Sequence, residues 1–338
     1  MKKLFSFILS LIMALGVSTV TFADDTPQVY TDEPSIPIAK IYELVNDGVS
    51  PAETFDFTIT KVGVTDSQYT KDTMPMITPN NYSITFGKGD ANSESTTENE
   101  VTFVGCKKTA TINLPTYNHV GIFTYEIKET PKNTAGVTYD GNSLFLKVTV
   151  IEQNGEKVRV TALHYKTENG SKTEGITNKY SAGSLAISKE VTGNMGETDR
   201  YFKVNVKLTA PEGKDVKSTI TATGGKYTEA KVLSIGDNEL EIKHDDTITI
   251  NNIPYGVTYT VTESDYTGDG YDAAEYTYSD DDKTVDTAED TVTITNNKGK
   301  EVDTGVIVDN LPYIVILGVV AVGMGVLFVK RRTANSNR

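Results

Sequence analysis

The chain has 338 residues, 38% apolar and 23% charged, with 32 Lys and Arg against 46 Asp and Glu. These proportions lie in the ordinary globular range and exclude wholesale disorder and a many-span membrane protein. A formal charge of −14 leaves no basic surface to neutralise phosphates, so nucleic acid is not an expected partner. One cysteine, Cys106, and three histidines, His119, His164 and His244, leave no disulfide framework and no zinc or cofactor site to expect.

Both ends carry processing signals. Met1, Lys2 and Lys3, the apolar run over residues 4–17, and Thr21-Phe22-Ala23 form a charged start, a hydrophobic stretch and a small-residue cleavage site, read as a signal peptide over residues 1–23. At the other end stand Glu301, Val302, Asp303, Thr304 and Gly305, then an apolar stretch from Leu311 to Val329, then Lys330-Arg331-Arg332. The apolar stretch is long enough to span a membrane as a helix, and the basic tail holds its end inside. The three-part order resembles a cell-wall sorting signal over residues 301–338, in which a sortase thiolate cuts between Thr304 and Gly305 and passes the threonyl carbonyl to an amine.

Between these signals the chain is rich in Thr, Val, Ile and Tyr, alternates apolar with polar residues and is punctuated by Gly, Asn and Asp. That pattern predicts an all-β protein. Strands are expected, in chain order, over residues 54–60, 121–129, 143–151, 202–209, 247–251, 258–263 and 291–295, and residues 87–100 read as a long exposed loop or insertion. The acidic runs at 265–272 and 280–282 lack the ligand spacing of a calcium loop and read as solvated turns. Cys106, on an alternating stretch, reads as a small buried apolar residue.

Three signatures occur twice in the same order, the mark of a duplicated unit. A strand bearing Lys comes first, as Ile36-Pro37-Ile38-Ala39-Lys40 and Leu185-Ala186-Ile187-Ser188-Lys189. A later strand bears Glu, as Tyr125-Glu126-Ile127-Lys128-Glu129 and Tyr259-Thr260-Val261-Thr262-Glu263. The last bears Asn, as Ile176-Thr177-Asn178 and Ile294-Thr295-Asn296. The expected division is therefore a unit over residues 24–180 and another over 181–300, with the boundary near Tyr180 to Gly183.

Side chains alternate faces along a strand, and Lys40, Glu129, Asn178, Lys189, Glu263 and Asn296 all fall on the apolar phase of theirs. Burial lowers a lysine pKa and raises a glutamic acid pKa, so an inward Lys beside an inward Glu can exist as neutral amine and protonated acid. A neutral amine is a nucleophile, and the acid can polarise the Asn carboxamide and relay protons. The expected product is a Lys-Asn isopeptide bond with release of ammonia, Glu129 and Glu263 being the catalytic groups.

On these residues the chain resembles the major backbone pilins of sortase-assembled Gram-positive pili, of the streptococcal T-antigen type. The resemblance implies two tandem immunoglobulin-like (CnaB-type) β-sandwich domains, with bonds between Lys40 and Asn178 and between Lys189 and Asn296. Pilins of this type usually carry Pro where Asp303 stands, which leaves the identity of the sortase open. The resemblance further implies identical subunits joined head to tail, minor pilins, peptidoglycan and a host surface as partners, and a pilus attached to the wall. The acceptor amine is expected late in the first unit, where Asn169-Gly170-Ser171-Lys172 is similar to the family's site and makes Lys172 the candidate.

The two bonds would close loops of 138 and 107 residues, stabilising by about 5 kcal/mol each on loop-closure reasoning developed for disulfides. A wall-anchored adhesin or stalk that is not polymerised is the competing function. An enzyme acting on external substrates finds no nucleophile or metal motif in the chain.

Overall fold

In the computed structural model the chain is described over residues 29–46, 48–92 and 104–299. The signal segment, the pentapeptide from Glu301 to Gly305, the apolar stretch and the basic tail lie outside the described residues. The first half contributes β1 (Ser35–Val45), β2 (Glu53–Thr65), β3 (Asn81–Phe86), β4 (Gly105–Asn113), β5 (Gly121–Thr130), β6 (Val137–Thr138), β7 (Leu144–Gln153) and β8 (Glu156–Tyr165). Then come β9 (Gly175–Thr192), β10 (Phe202–Thr209), β11 (Ile220–Gly224), β12 (Tyr227–Leu233) and β13 (Gly236–Ile242). The chain closes with β14 (Thr247–Pro254), β15 (Thr258–Glu263), β16 (Glu275–Tyr278) and β17 (Glu289–Asn297). The only helical elements among the described residues are two short 3-10 turns, so the described part of the chain is all-β, as its alternation predicts.

The strands form β-sandwich-like pairs of sheets. A five-stranded sheet, β3-β2-β5-β7-β8, and a three-stranded sheet, β13-β10-β15, each pack against a nine-stranded sheet whose spine is β12-β11-β14-β9-β1-β4. Two hydrophobic clusters result. One gathers Phe55, Phe123, Tyr125 and Leu146 with Tyr42 and Ile176; the other gathers Leu185, Ile187, Val206 and Tyr259 with Ile250 and Ile294. Each such side chain, fully buried, contributes on the order of 1.5–3 kcal/mol of transfer free energy.

The expected boundary at Tyr180–Gly183 falls inside a continuous strand rather than a linker. β9 pairs in parallel with β1 through residues 175–181 and in parallel with β17 through residues 184–192. Its buried positions are even-numbered through Ala182 and odd-numbered from Gly183 onward. The switch presents one face of β9 to the first cluster and the opposite face to the second. Gly183 is required there, because a Cβ would stand 2.2 Å from the Thr287 carbonyl oxygen.

Two other expectations need adjustment. Residues 87–92 are anchored rather than free: Ala91 is buried and the Asn92 carboxamide accepts the Ser50 N–H at 3.0 Å. Cys106 is only half-buried, on the outermost strand β4. The free edge of β8 is covered at two places. The Glu33 N–H donates to the Arg159 carbonyl (3.1 Å), and a returning loop pairs Thr173 N–H with the Leu163 carbonyl (3.1 Å) and Tyr165 N–H with the Ser171 carbonyl (2.9 Å). Covering an edge removes a template for unwanted strand pairing.

A polar junction fixes the two halves around β9. Asn252, in the left-handed region at φ 60°, donates to the Val49 carbonyl (3.1 Å) and the Thr219 carbonyl (3.0 Å) and accepts the Val49 N–H (3.0 Å). Asn tolerates that backbone conformation better than most residues. Nearby, Glu53, its side chain only 1% exposed, receives the Thr134 hydroxyl and the Lys217 ammonium at 3.0 Å. Burial acts to raise the Glu53 carboxyl, but hydrogen bonds from Thr134, Lys217 and the Thr54 N–H outweigh it and hold the group below the usual glutamate range. A depressed carboxyl contributes stability above its unfolded pKa and loses it as pH falls through the folded value. Glu53→Gln is therefore expected to destabilise by on the order of 1–2 kcal/mol near neutral pH. In urea unfolding the difference from wild type should shrink toward zero on acidification below the glutamate range, and a difference independent of pH would contradict an ionised junction.

Candidate functional site: two buried Lys, Glu and Asn trios

The six polar residues that share parity with apolar neighbours are all buried, and they gather into two trios. In the first, β1 supplies Lys40, the facing β5 supplies Glu129 and β9 supplies Asn178. The parallel register sets Lys40 opposite Ile176 and Tyr42 opposite Asn178, so Lys and Asn lie diagonally on one face of adjacent strands. The Lys40 ammonium donates to one Glu129 oxygen at 2.6 Å, with both side chains fully buried, and the other Glu129 oxygen accepts the Asn178 amide at 2.5 Å. The Asn178 carboxamide oxygen accepts the backbone N–H of Asp140 at 2.9 Å. Phe55 and Phe57 wall the amine, their ring centres 4.5 and 6.0 Å from Nζ. Burial pulls Lys40 down to about 8, only partly opposed by Glu129.

The second trio repeats the register. β9 supplies Lys189, opposite Ile294 of β17, and Asn296 lies two residues further on, opposite Val191. Glu263 enters from β15. The Lys189 amine donates to the Asn296 carboxamide oxygen and to the Ile294 carbonyl (3.2 Å), while a Glu263 oxygen stands 3.5 Å away. The Phe202 ring centre is 4.6 Å from the amine. Burial lowers Lys189 and raises Glu263, and the opposite charges oppose both shifts only in part. Both directions favour the uncharged forms.

The two arrangements offer the same chemistry in different poses. In the first the acid bridges amine and carboxamide, while the Asp140 N–H polarises the carbonyl that would become an oxyanion. In the second the amine already lies against the carboxamide oxygen.

Neither the aromatic walls around the amines nor the Asp140 amide has a signature in the sequence pattern. Phe55 and Phe57 share the inward parity of β2 and were legible as core; their contact with a lysine was not. The Asp140 N–H belongs to the segment between β6 and β7 and leaves no signature in a side chain.

Lys172 is exposed, with no side-chain hydrogen bond or ion pair among the described residues. Its rivals are engaged: Lys179 pairs with Glu43 at 3.2 Å, and Lys166 lies over the Tyr165 ring at 5.2 Å. Thr304, its expected reaction partner, lies outside the described residues.

Residues 36–181 match a family model described as a Spy0128-like isopeptide containing domain, and residues 183–298 match one described as a domain of unknown function (DUF7601). A curated pilin of Streptococcus pyogenes serotype M1 is 31% identical over 242 residues, spanning 65% of this chain and 70% of that protein. The crystal structure of the major pilin from Streptococcus pyogenes superposes with a TM-score of 0.54 at 22% identity, covering 80% of this chain and 100% of that one. The T3.2 major pilin of the same species gives 0.51 at 20% identity, covering 79% and 99%. The structural likenesses carry the fold.

Removing one partner of a buried charge pair leaves the other uncompensated, whereas replacing both by apolar groups is often near neutral. With the expected Lys40–Asn178 cross-link blocked by Asn178→Ala, adding Glu129→Ala should cost about 3–5 kcal/mol more. Lys40→Met with Glu129→Leu should recover most of the loss in denaturant unfolding. Equal stability of the two combinations would contradict the buried pair.

Proposed function

This chain belongs to the pilins and is a structural subunit of a pilus, and from that premise we propose that it is the backbone subunit, made of two tandem immunoglobulin-like domains over residues 24–180 and 181–300. Each domain closes itself with an isopeptide bond, Lys40 to Asn178 and Lys189 to Asn296. The observation that carries this reading is the double occurrence of one buried trio in one register. In each, a neutral amine attacks Cγ of Asn, and the bond from Cγ to Nδ2 breaks. Glu129 or Glu263 takes a proton from the attacking nitrogen and delivers one to the departing nitrogen, which leaves as ammonia.

The chain is exported through its signal peptide and held at the membrane by the apolar stretch over residues 311–329 until a sortase acts. The sortase cuts after Thr304 and transfers the threonyl group to Lys172 of the next subunit, and the finished fibre is attached to peptidoglycan. In such a fibre the covalent route runs from Lys172 along β9 to Lys189, across to Asn296 and out to Thr304. The Lys189–Asn296 bond is thus in series with the load, so tension bypasses the hydrogen-bonded ladders of the second domain. Lys40–Asn178 braces the first domain against the loaded strand.

Incubation of the full-length chain with its sortase should yield a ladder of covalent multimers. The ladder is expected to disappear in Thr304→Ala and in Lys172→Arg. Wall-linked monomer without a ladder would contradict the backbone role and favour an unpolymerised stalk.

A further inference from the structure

The loop that carries Lys172 is built as a template. It returns along β8 with the two hydrogen bonds that flank a non-hydrogen-bonded antiparallel pair, and the residues facing each other in that pair are His164 and Lys172. In this type of pair the Cα atoms come to about 4.5 Å and the side chains are closest neighbours on one face. That face points outward, since His164 also stands opposite Phe145 and lies between buried Leu163 and half-buried Tyr165. The turn tolerates no side chain at Gly170, where a Cβ would stand 2.2 Å from the Tyr165 carbonyl oxygen. Lys147 docks the outer limb of the loop, 2.8 Å from Asn169 and 3.8 Å from Glu168.

The His164 ring is oriented within this frame. Its Nδ1 lies 2.9 Å from the Gly170 carbonyl oxygen, which can only accept, so Nδ1 carries the hydrogen. In the neutral ring, Nε2 then holds the lone pair. The charged groups around it are Lys166, Glu168 and Lys172 in the loop, Lys147 on β7 and Glu126 on β5.

We propose that His164 is a substrate-side proton acceptor for the subunit-joining step, its Nε2 receiving the proton that the Lys172 nitrogen sheds during acyl transfer; this rests on Lys172 being the acceptor. The neutral Lys172 amine attacks the threonyl carbonyl carbon of the sortase thioester, giving a tetrahedral adduct with a positively charged nitrogen. His164 takes one proton from that nitrogen and passes it to water, the C–S bond breaks, and the sortase thiolate departs as the amide forms. Without a base, the adduct returns to thioester and amine, and water competes for the acyl group.

The test follows the ratio of subunit transfer to hydrolysis at Thr304 in a sortase reaction, read by mass spectrometry across pH, which isolates the resolving step from formation of the thioester. For wild type the ratio should rise with pH, since the step needs a base to accept the proton. In His164→Gln, and in His164→Asn as a second replacement, that rise should vanish and the ratio should fall roughly a hundredfold, with an unchanged unfolding midpoint as the control for folding. An unaltered ratio and pH profile in either folded variant, with Lys172→Arg abolishing transfer, would overturn the role of His164 while leaving the acceptor in place. Transfer that persists in Lys172→Arg would overturn the acceptor assignment and this inference with it.

Discussion

β9 pairs in parallel with the first strand of one sandwich and the last strand of the other, so Asn178 and Lys189 stand eleven residues apart on a single extended segment. At about 3.3 Å per residue that is roughly 36 Å of unbroken backbone. Everything else in the molecule is arranged around it. β1 and β17 flank opposite ends of β9, the polar junction of Glu53 and Asn252 holds the halves in place around its middle, and the loop that carries Lys172 leads directly into its start. β14 also pairs with β9 across this joint, at Ala182, Gly183 and Leu185 to Ser188, so ladder hydrogen bonds restrain the point at which the two halves could hinge.

The chemistry depends on burial of charge, which is ordinarily a liability. In a lysine walled by Phe55 and Phe57, or packed on Phe202, the preference for the ammonium form is weakened by burial, and the same dryness pushes Glu263 toward the neutral acid. The unreacted pair is thus strained electrostatically, and amide formation removes both the amine and its need for a counter-ion. A buried ion pair by itself is weak evidence for stability. Its conversion to an amide would make the same residues a permanent closure.

Much of this was legible in the chain. Alternation and the repeated signatures located β1, β2, β5, β7, β9, β10, β14, β15 and β17 but not β3, β8 or β11 to β13, and parity placed all six polar residues inward, where the structure buries them. Even the reversal of faces along β9 was implicit, since Asn178 shares parity with Ile176 while Lys189 shares it with Leu185 and Ile187. That the closing strand of one unit and the opening strand of the next are one strand was not legible, because repeat boundaries mark similarity, not backbone geometry. The junction escaped for a related reason: Glu53 and Lys217 are 164 residues apart, and their pairing is set by the docking of two sandwiches rather than by local pattern. Short strands such as β6 and β16 carry too few alternations to be read.

The central claim is that each trio closes into an amide, and the intact mass of the folded chain over residues 24–304 tests it most directly. The mass should lie below the sequence value by two molecules of ammonia, with one restored in Glu129→Ala, one in Glu263→Ala and both in the double variant. A folded wild-type chain at its full sequence mass would contradict it.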